Sequence, residues 1–464
     1  MKKMKCIFNS TIFIKKLLGT QAFKKEEKYR PISFYISKKV DDGVLVFNTL
    51  IKEMIHLDNE SFEKAFLNCD STHKDFKYLL ENWYIVPYNC VDIELNSQVN
   101  AISTQLDKSF ADKRFVVVTT LNCNARCFYC FEHETKKYPM TVETAHQTSK
   151  YISKTSEGKK VIIQWFGGEP LCNTKVIDII CDDLRKENVN FSTWMITNGY
   201  LFDDNIINKA KNSWNLKSVQ ITLDGTEEIY NNVKNYVYKN NISPFQKVLN
   251  SIELLLNADI SVKIRLNMDK HNAEDLFKLT DVLFNRFGAN DKLNIYACLL
   301  FDECGSDKKI RGYSDQLELS KKLVELEKYI HEKGYSESFR LNNRIKGYRC
   351  MADNDQSIMI LPNGNFSKCE RDTAASNFGN VFDGIINHTE TDKWKIKCKM
   401  FDECFTCPLL PGCVRIEKCP DEGYHECSIF DRQRRLNNIT QSMSNEYEDF
   451  LSRSKGNTGD GSVC

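Results

Sequence analysis

Between residues 114 and 300 the chain alternates between two periodicities, and this restricts its fold more than any other feature. Short β-rich runs recur at Arg114–Thr120, Val161–Phe166, Phe191–Ile196, Ser218–Leu223, Val262–Asn267 and Leu293–Leu300. Amphipathic stretches lie between them, at Thr141–Thr155, Thr174–Lys186, Asp204–Asn212 and Ala273–Phe287. Val248, Leu249, Ile252, Leu255 and Leu256 add another, with their apolar side chains on one helical face. Six strand–helix repeats predict an α/β fold with a parallel sheet and helices outside it. Chemistry in such folds gathers at the C-terminal ends of the strands.

The first of those ends carries three cysteines. Cys123, Cys127 and Cys130 follow the first strand directly, in a C-x3-C-x2-C run. Three thiolates can hold three corners of a cubane iron–sulfur cluster, which leaves one iron without a protein thiolate. A zinc site that borrows a distant fourth ligand is the alternative, because thiolates suit both metals. Ligand preference and the open fourth corner favour the cluster.

Composition narrows the setting. The 464 residues are 41% hydrophobic, enough for two to four domains with real cores. Lys+Arg is 64 and Asp+Glu is 63, so no charge excess calls for nucleic acid or a membrane surface. Nineteen cysteines are crowded, with eight between Cys350 and Cys427. A disulfide scaffold fits badly, because such proteins are small and secreted. The first 18 residues carry an apolar piece, Cys6 to Ile14, broken by Asn9, Ser10 and Thr11, and no small-residue cleavage site comes after it. No apolar run reaches the roughly 18 residues of a membrane span. These readings predict a cytoplasmic protein whose thiols serve as metal ligands.

Other strand ends add candidate site residues. The second strand ends in Gly167-Gly168-Glu169-Pro170, where two glycines let a ligand approach the backbone closely. The third ends in Thr197-Asn198-Gly199 and the fourth in Thr222-Leu223-Asp224-Gly225. Arg265 and Asn267 alternate along the fifth strand and therefore face the same way. An arginine in a strand is more often an exposed charge; with apolar flanks, a carboxylate partner is the alternative.

The cysteine loop after strand one and the GGEP after strand two, together with Tyr129 just before the last cysteine, resemble a radical S-adenosylmethionine (SAM) enzyme. The resemblance covers residues 112–300 and implies a partial (β/α)6 barrel. It implies a [4Fe–4S] cluster on Cys123, Cys127 and Cys130, whose open iron takes the methionine moiety of SAM. The backbone of Gly167, Gly168, Glu169 and Pro170 would contact the methionine amino group, and Tyr129 would lie near the adenine. Asn198, Asp224, Arg265 and Asn267 would complete the cofactor contacts to ribose and carboxylate. The implied chemistry is one-electron cleavage of the sulfonium to a 5′-deoxyadenosyl radical that abstracts hydrogen, with the protein binding, orienting and shielding. No acid or base is assigned.

The later cysteines resemble a SPASM domain, which adds two auxiliary [4Fe–4S] clusters and brings the cluster total to three. Cys350, thirteen residues, Gly364-x4-Cys369, then Cys404-x2-Cys407-x5-Cys413, Cys419 and Cys427 form that pattern. The resemblance gives Cys404, Cys407, Cys413 and Cys427 to the outer cluster and Cys350, Cys369 and Cys419 to the inner one. The inner cluster's fourth ligand is left open between Cys398, Cys304 and a substrate thiolate. Five residues separate Cys413 from Cys419, where the pattern has three. A zinc-knuckle-like domain is the alternative for these cysteines.

About 110 residues precede the first barrel strand, most of a small domain. Phe34–Lys38, Gly43–Phe47 and Glu53–Leu57 read as strands with a turn at Asp41-Asp42-Gly43, followed by helices at Asn59–Leu67 and His73–Glu81. This order resembles the winged-helix-like module of peptide maturases, which captures a leader peptide as an added strand; a plain capping domain is the alternative. The expected layout is a leader-recognition module at 1–110, the barrel at 111–305, a helical linker at 306–345, SPASM at 346–440, and a helix end with a disordered tail, from Ser452 onward, at 441–464. The expected activity is modification of a ribosomal precursor peptide, with Cys sulfur-to-carbon thioether formation leading. A carbon–carbon cyclase, a formylglycine-forming enzyme and a non-catalytic metal-stabilised peptide-binding module are the rivals. An external electron donor such as flavodoxin or ferredoxin would drive it.

Overall fold

The computed structural model describes the whole chain except residues 1, 4–8, 20–23, 25–26, 111, 133–134, 239–242, 301–312, 336–340, 342–344, 346–349, 353, 371–377, 394–396, 399–401, 414–416, 420–422, 425–428 and 457–464. It forms two compact units. The central unit holds 111–338 and 350–395, and the terminal unit holds 1–110, 339–349 and 396–464. These units cut across the expected boundaries, because the 346–440 stretch contributes to both.

The central unit is built on strands β1 (Lys113–Thr120), β2 (Val161–Gly167), β3 (Phe191–Thr197), β4 (Leu216–Leu223), β5 (Ser261–Met268) and β6 (Leu293–Leu299). They pair in sequence order, each parallel to the next. Between them run helices α1 (Val142–Ser156), α2 (Thr174–Lys186), α3 (Asp204–Asn212), α4 (Glu227–Lys234), α5 (Pro244–Asn257) and α6 (Asp275–Phe287), and α7 (Tyr313–Glu332) comes after β6. The helical faces and one face of each strand bury Ile163, Trp165, Ile177, Met195, Ile252 and Leu279 in one core. Alternate strand residues point to the other face, where Val116, Val118, Phe166 and Met359 form a smaller cluster.

The sheet has two strands more than the repeat predicts. β7 (Ser357–Ile360) lies parallel to β1, and β8 (Phe366–Ser367) turns back antiparallel to β7. The turn between them contains Gly364, whose φ of +87° favours glycine. The Gly364-x4-Cys369 motif is thus a hairpin added to the edge of the barrel sheet.

In the terminal unit, Tyr35–Val40 and Gly43–Asn48 form a hairpin with a turn at Asp41-Asp42, as expected. Glu53–Leu57 and Lys2–Lys3 extend it. All six residues of Gly43–Asn48 are buried, because both sheet faces are covered. Val44, Val46, Ile55 and Leu57 pack with Phe66, Leu79 and Trp83. Leu45, Phe47 and Met54 pack with Met443 and Tyr447 of a long C-terminal helix, Ile429–Gly456. The helix expected at Asn59–Leu67 is α-helical over Asn59–Ser61 and a π-helix over Phe62–Leu67. Tyr29–Pro31 pairs with Ile85–Pro87, and Asp92–Phe110 is a helix that the sequence pattern did not reveal. The tail expected from Ser452 is helical through Gly456, and 457–464 lie outside the described residues. Among the described residues no helix is long and apolar enough to cross a membrane.

Candidate active site

The C-terminal ends of β1 to β5 carry one connected set of polar contacts. The cysteine loop is anchored first. Leu121 N–H donates to the Tyr138 carbonyl at 3.0 Å, and Cys130 N–H to that of Cys127 at 3.2 Å. Arg126 N–H donates to the Lys234 carbonyl at 2.8 Å, and Val237 N–H to that of Asn124 at 2.9 Å. The end of α4 and the residues after it therefore clamp the loop.

The glycines after β2 explain how the second strand end reaches this loop. Gly168 N–H donates to the Thr120 carbonyl at 3.0 Å and Glu169 N–H to that of Asn122 at 2.9 Å. A Cβ on Gly168 would collide with the Asn122 carbonyl, and one on Gly167, at φ +125°, with that of Thr120. Only glycine leaves room for the two segments to touch.

Glu169 faces inward. Its carboxylate, fully buried, accepts from Leu171 N–H at 3.1 Å, Asn198 N–H at 2.8 Å and the Thr197 hydroxyl at 2.8 Å. Burial raises its pKa to about 7, against the pull of these donors. The side chain ties β2 to β3, while Pro170 offers its carbonyl to the Thr119 hydroxyl at 3.1 Å. Asn198 donates from Nδ2 to the Asn124 Oδ1 at 2.7 Å, which carries β3 into the cysteine loop.

Tyr129, Asp224 and Asn267 meet in a second cluster. The Tyr129 hydroxyl donates to Asp224 Oδ1 at 3.0 Å, and Asn267 Nδ2 donates to the same oxygen at 3.0 Å. Lys234, which sequence reasoning missed, completes it. Its Nζ lies 2.9 Å from Asp224 Oδ2 and 2.8 Å from the Tyr129 hydroxyl, and the ion pair is buried on both sides. Burial pushes the Lys234 pKa down, but Asp224 and then Tyr129 outweigh it, so the ammonium is held charged. Burial, then the Asp224 charge, push the Tyr129 phenol far up. Asn272 braces the group by donating to the backbone carbonyls of Asp224 and Asn267 at 2.8 and 2.7 Å. No sequence signal marks Lys234, because a lysine in the polar run Asn231-Asn232-Val233-Lys234-Asn235 reads as a solvated face.

Arg265 is the exception among the expected cofactor contacts. Its Nε donates to Cys298 Sγ at 2.8 Å rather than joining Asp224. Cys298 is thus the partner of a largely buried cation.

Burial raises the pKa of all three loop thiols. For Cys123 it reaches about 12, with Glu169 adding to the effect; for Cys127 the Lys234 charge opposes burial. Among the described residues no three His, Cys, Asp or Glu side chains converge as a ready single-ion site. A cubane has its thiolates on separate irons and does not require them to meet at one point. The donor set suits an iron–sulfur cluster, and the close approach that Gly168 permits places a backbone edge beside the cysteine loop.

The auxiliary candidates are distributed between the units. Cys350 is exposed, and Cys369 comes just after β8, its N–H donating to the Ser367 hydroxyl at 3.2 Å. In the terminal unit, Cys404 ends a short 3-10 turn, Cys407 N–H donates to its carbonyl at 3.2 Å, and Cys413 N–H donates to that of Leu410 at 3.1 Å. Arg435 Nη1 lies 3.5 Å from Cys413 Sγ. Cys419 and Cys398 sit on paired short strands. Cys427 and Cys304 lie outside the described residues.

An α/β sheet of six sequential parallel strands, with three cysteines after the first and a glycine pair after the second, defines a radical SAM domain. Residues 117–283 match the model of the Radical SAM superfamily, so this part of the chain is a radical SAM enzyme domain. That family implies SAM and one [4Fe–4S] cluster. The chain is 24% identical over 445 residues to the radical SAM cyclopropyl synthase TigE of Paramaledivibacter caminithermalis, covering 82% of this chain and 88% of TigE. It is 25% identical over 160 residues to the AdoMet-dependent heme synthase of Methanosarcina barkeri, covering 34% of this chain and 43% of that protein, less than half its length. The structure of anSMEcpe with bound AdoMet superposes with a TM-score of 0.55 at 17% identity, covering 74% of this chain and 99% of that one. This likeness is one of fold.

Proposed function

We propose that this enzyme is a peptide maturase, modifying a ribosomally made precursor by forming Cys sulfur-to-carbon thioether links. The observation that carries the peptide reading is the edge strand Tyr35–Val40, which has a strand on one side only among the described residues. An extended leader can add to such an edge through main-chain hydrogen bonds, with side-chain pockets giving specificity. A solved structure similar in fold, that of anSMEcpe, contains a Kp18Cys peptide, which agrees with this reading.

Cys123, Cys127 and Cys130 would hold the cluster. The backbone of Gly167 to Pro170 with Tyr129, Asn198, Asp224, Arg265 and Asn267 would hold SAM. Bound there, the pair supplies a 5′-deoxyadenosyl radical that takes a hydrogen atom from a peptide carbon. The chain's own part is to fix the loop through Asn198 and Lys234, and to seat the Lys234 ammonium between Asp224 and Tyr129. Cys404, Cys407, Cys413 and Cys427, with Cys350, Cys369 and Cys419, would hold two auxiliary clusters that bind the substrate thiolate or accept the second electron. Residues 1–110 would recognise the leader and 346–440 would form the SPASM domain, in the cytoplasm, with a flavodoxin or ferredoxin as donor.

Similarity to a cyclopropyl synthase over 82% of the chain favours a second reading, carbon–carbon bond formation on the peptide. Co-expression with a short cysteine-bearing open reading frame from the same gene neighbourhood tests both. The expected product has lost two hydrogens per link. Loss of one alkylatable thiol per link identifies the thioether; retention of all thiols identifies the carbon–carbon bond. An unmodified peptide beside an enzyme that cleaves SAM would overturn the peptide reading.

A further inference from the structure

One buried donor in the cysteine loop is left without an acceptor. Asn124, between Cys123 and Cys127, is 2% exposed, and its side-chain Nδ2 makes no hydrogen bond among the described residues. Its backbone is pinned on both sides. The N–H bonds to the Cys172 sulfur, and the carbonyl accepts from Val237 N–H at 2.9 Å.

The orientation of that amide follows from its neighbours. Tyr200 N–H, which can only donate, bonds to Asn198 Oδ1 at 3.0 Å. Asn198 therefore turns its Nδ2 towards Asn124 and donates at 2.7 Å, so the atom it meets is Asn124 Oδ1. Flipping Asn124 alone would set two NH2 groups against each other. Flipping both would set the Asn198 NH2 against Tyr200 N–H. The network thus leaves Asn124 Nδ2 as the unmet donor. A buried N–H without a partner is costly, and an acceptor brought by a bound group removes that cost.

The acceptor chemistry beside this amide is sulfur. Cys123 Sγ lies 3.9 Å from Asn124 Oδ1 and 3.9 Å from Asn198 Nδ2, and it accepts from Ala125 N–H at 3.4 Å. A cluster held by Cys123 adds inorganic sulfides, which are further acceptors. Hydrogen bonds to cluster sulfurs favour the extra negative charge of the reduced state and so help to set the reduction potential.

We propose that Asn124 Nδ2 donates an N–H···S hydrogen bond to the cluster and raises its reduction potential. The inference rests on the [4Fe–4S] cluster of Cys123, Cys127 and Cys130, and not on the identity of the substrate. No covalent bond forms or breaks; the amide makes the same one-electron reduction easier.

The test uses the reconstituted full chain without SAM or peptide, reduced and followed by pulsed electron paramagnetic resonance. The protein carries asparagine labelled with ¹⁵N only at the side-chain amide. Two variants are compared with wild type at matched iron content. Asn124→Leu is similar in size and lacks the amide; Asn124→Asp keeps an acceptor for Asn198 and lacks the donor. The wild-type cluster should show a ¹⁵N coupling that both variants lose. In Asn124→Leu the equilibrium constant for reduction should fall about tenfold, a midpoint potential about 59 mV more negative. A wild-type cluster without the coupling would overturn the proposal, as would a coupling kept in either variant or an unchanged potential in Asn124→Leu. A coupling that appears only once SAM is added would also overturn it, because the acceptor would then belong to SAM. A wild type with no cluster signal would refute the cluster assignment, and the proposal with it.

Discussion

The two cysteine-bearing regions are held in different ways. In the central unit, Cys123, Cys127 and Cys130 sit in a loop bonded to the ends of β1, β2 and β3 and to the end of α4, beside a buried ion pair. In the terminal unit, Cys404 and Cys413 pack against one apolar cluster and Cys407 against another. The first loop is fixed by directional bonds to groups that also shape a site. The second is held by its own short turns and by packing, next to a sheet sandwiched between helices. Under the function proposed above, the contrast would correspond to two roles, generation of the radical and handling of the substrate.

The sharpest way to break that separation is to remove one thiol from each region. Cys127→Ala should reduce 5′-deoxyadenosine release to background in a chromatographic assay, whereas Cys407→Ala should retain it and lose only the modified peptide. Equal loss of cleavage in both would erase the distinction. Gly168→Ala comes next. Its methyl group would push the second strand end off Asn122, and iron bound after reconstitution should fall to less than about half of wild type, since backbone rather than a flexible side chain must move. Lys234→Met leaves Asp224 buried without its cation. A loss of about 3–5 kcal/mol in denaturant unfolding is expected for one partner of a buried pair, and a loss under about 1 kcal/mol would show that water reaches the site. The smallest effect belongs to the terminal unit. Tyr447 donates to Asp42 at 2.6 Å and stacks on His56 with ring centroids 5.1 Å apart. Tyr447→Phe should cost about 1 kcal/mol while iron content and SAM cleavage stay the same.

Much of the central unit was legible because its physics is local. Runs such as Val161–Phe166 and Phe191–Ile196 are β-rich and short, and Thr174–Lys186 has an apolar face at helical spacing. The position of the cysteines came directly from that alternation. β7 was not legible, because Ser357–Ile360 is four residues long and its partner β1 lies more than two hundred residues earlier. Lys234 was missed for a related reason. Only the folded sheet brings Asp224 and Tyr129 around it, and nothing in its neighbours distinguishes it from a surface lysine. Arg265 and Asn267 lie on one face of their strand and both meet Cys298, at 2.8 and 3.7 Å, but Asn267 also donates to Asp224. Alternation gives the side of a strand and not the contact made there. The burial of both faces of Gly43–Asn48 likewise depends on a helix near residue 443.

The most direct test of the central claim is anaerobic reconstitution of the full chain with iron and sulfide, and then addition of SAM and dithionite. The account predicts a brown protein that releases 5′-deoxyadenosine, with release dependent on Cys123, Cys127 and Cys130. A colourless protein that binds zinc and releases none would contradict it.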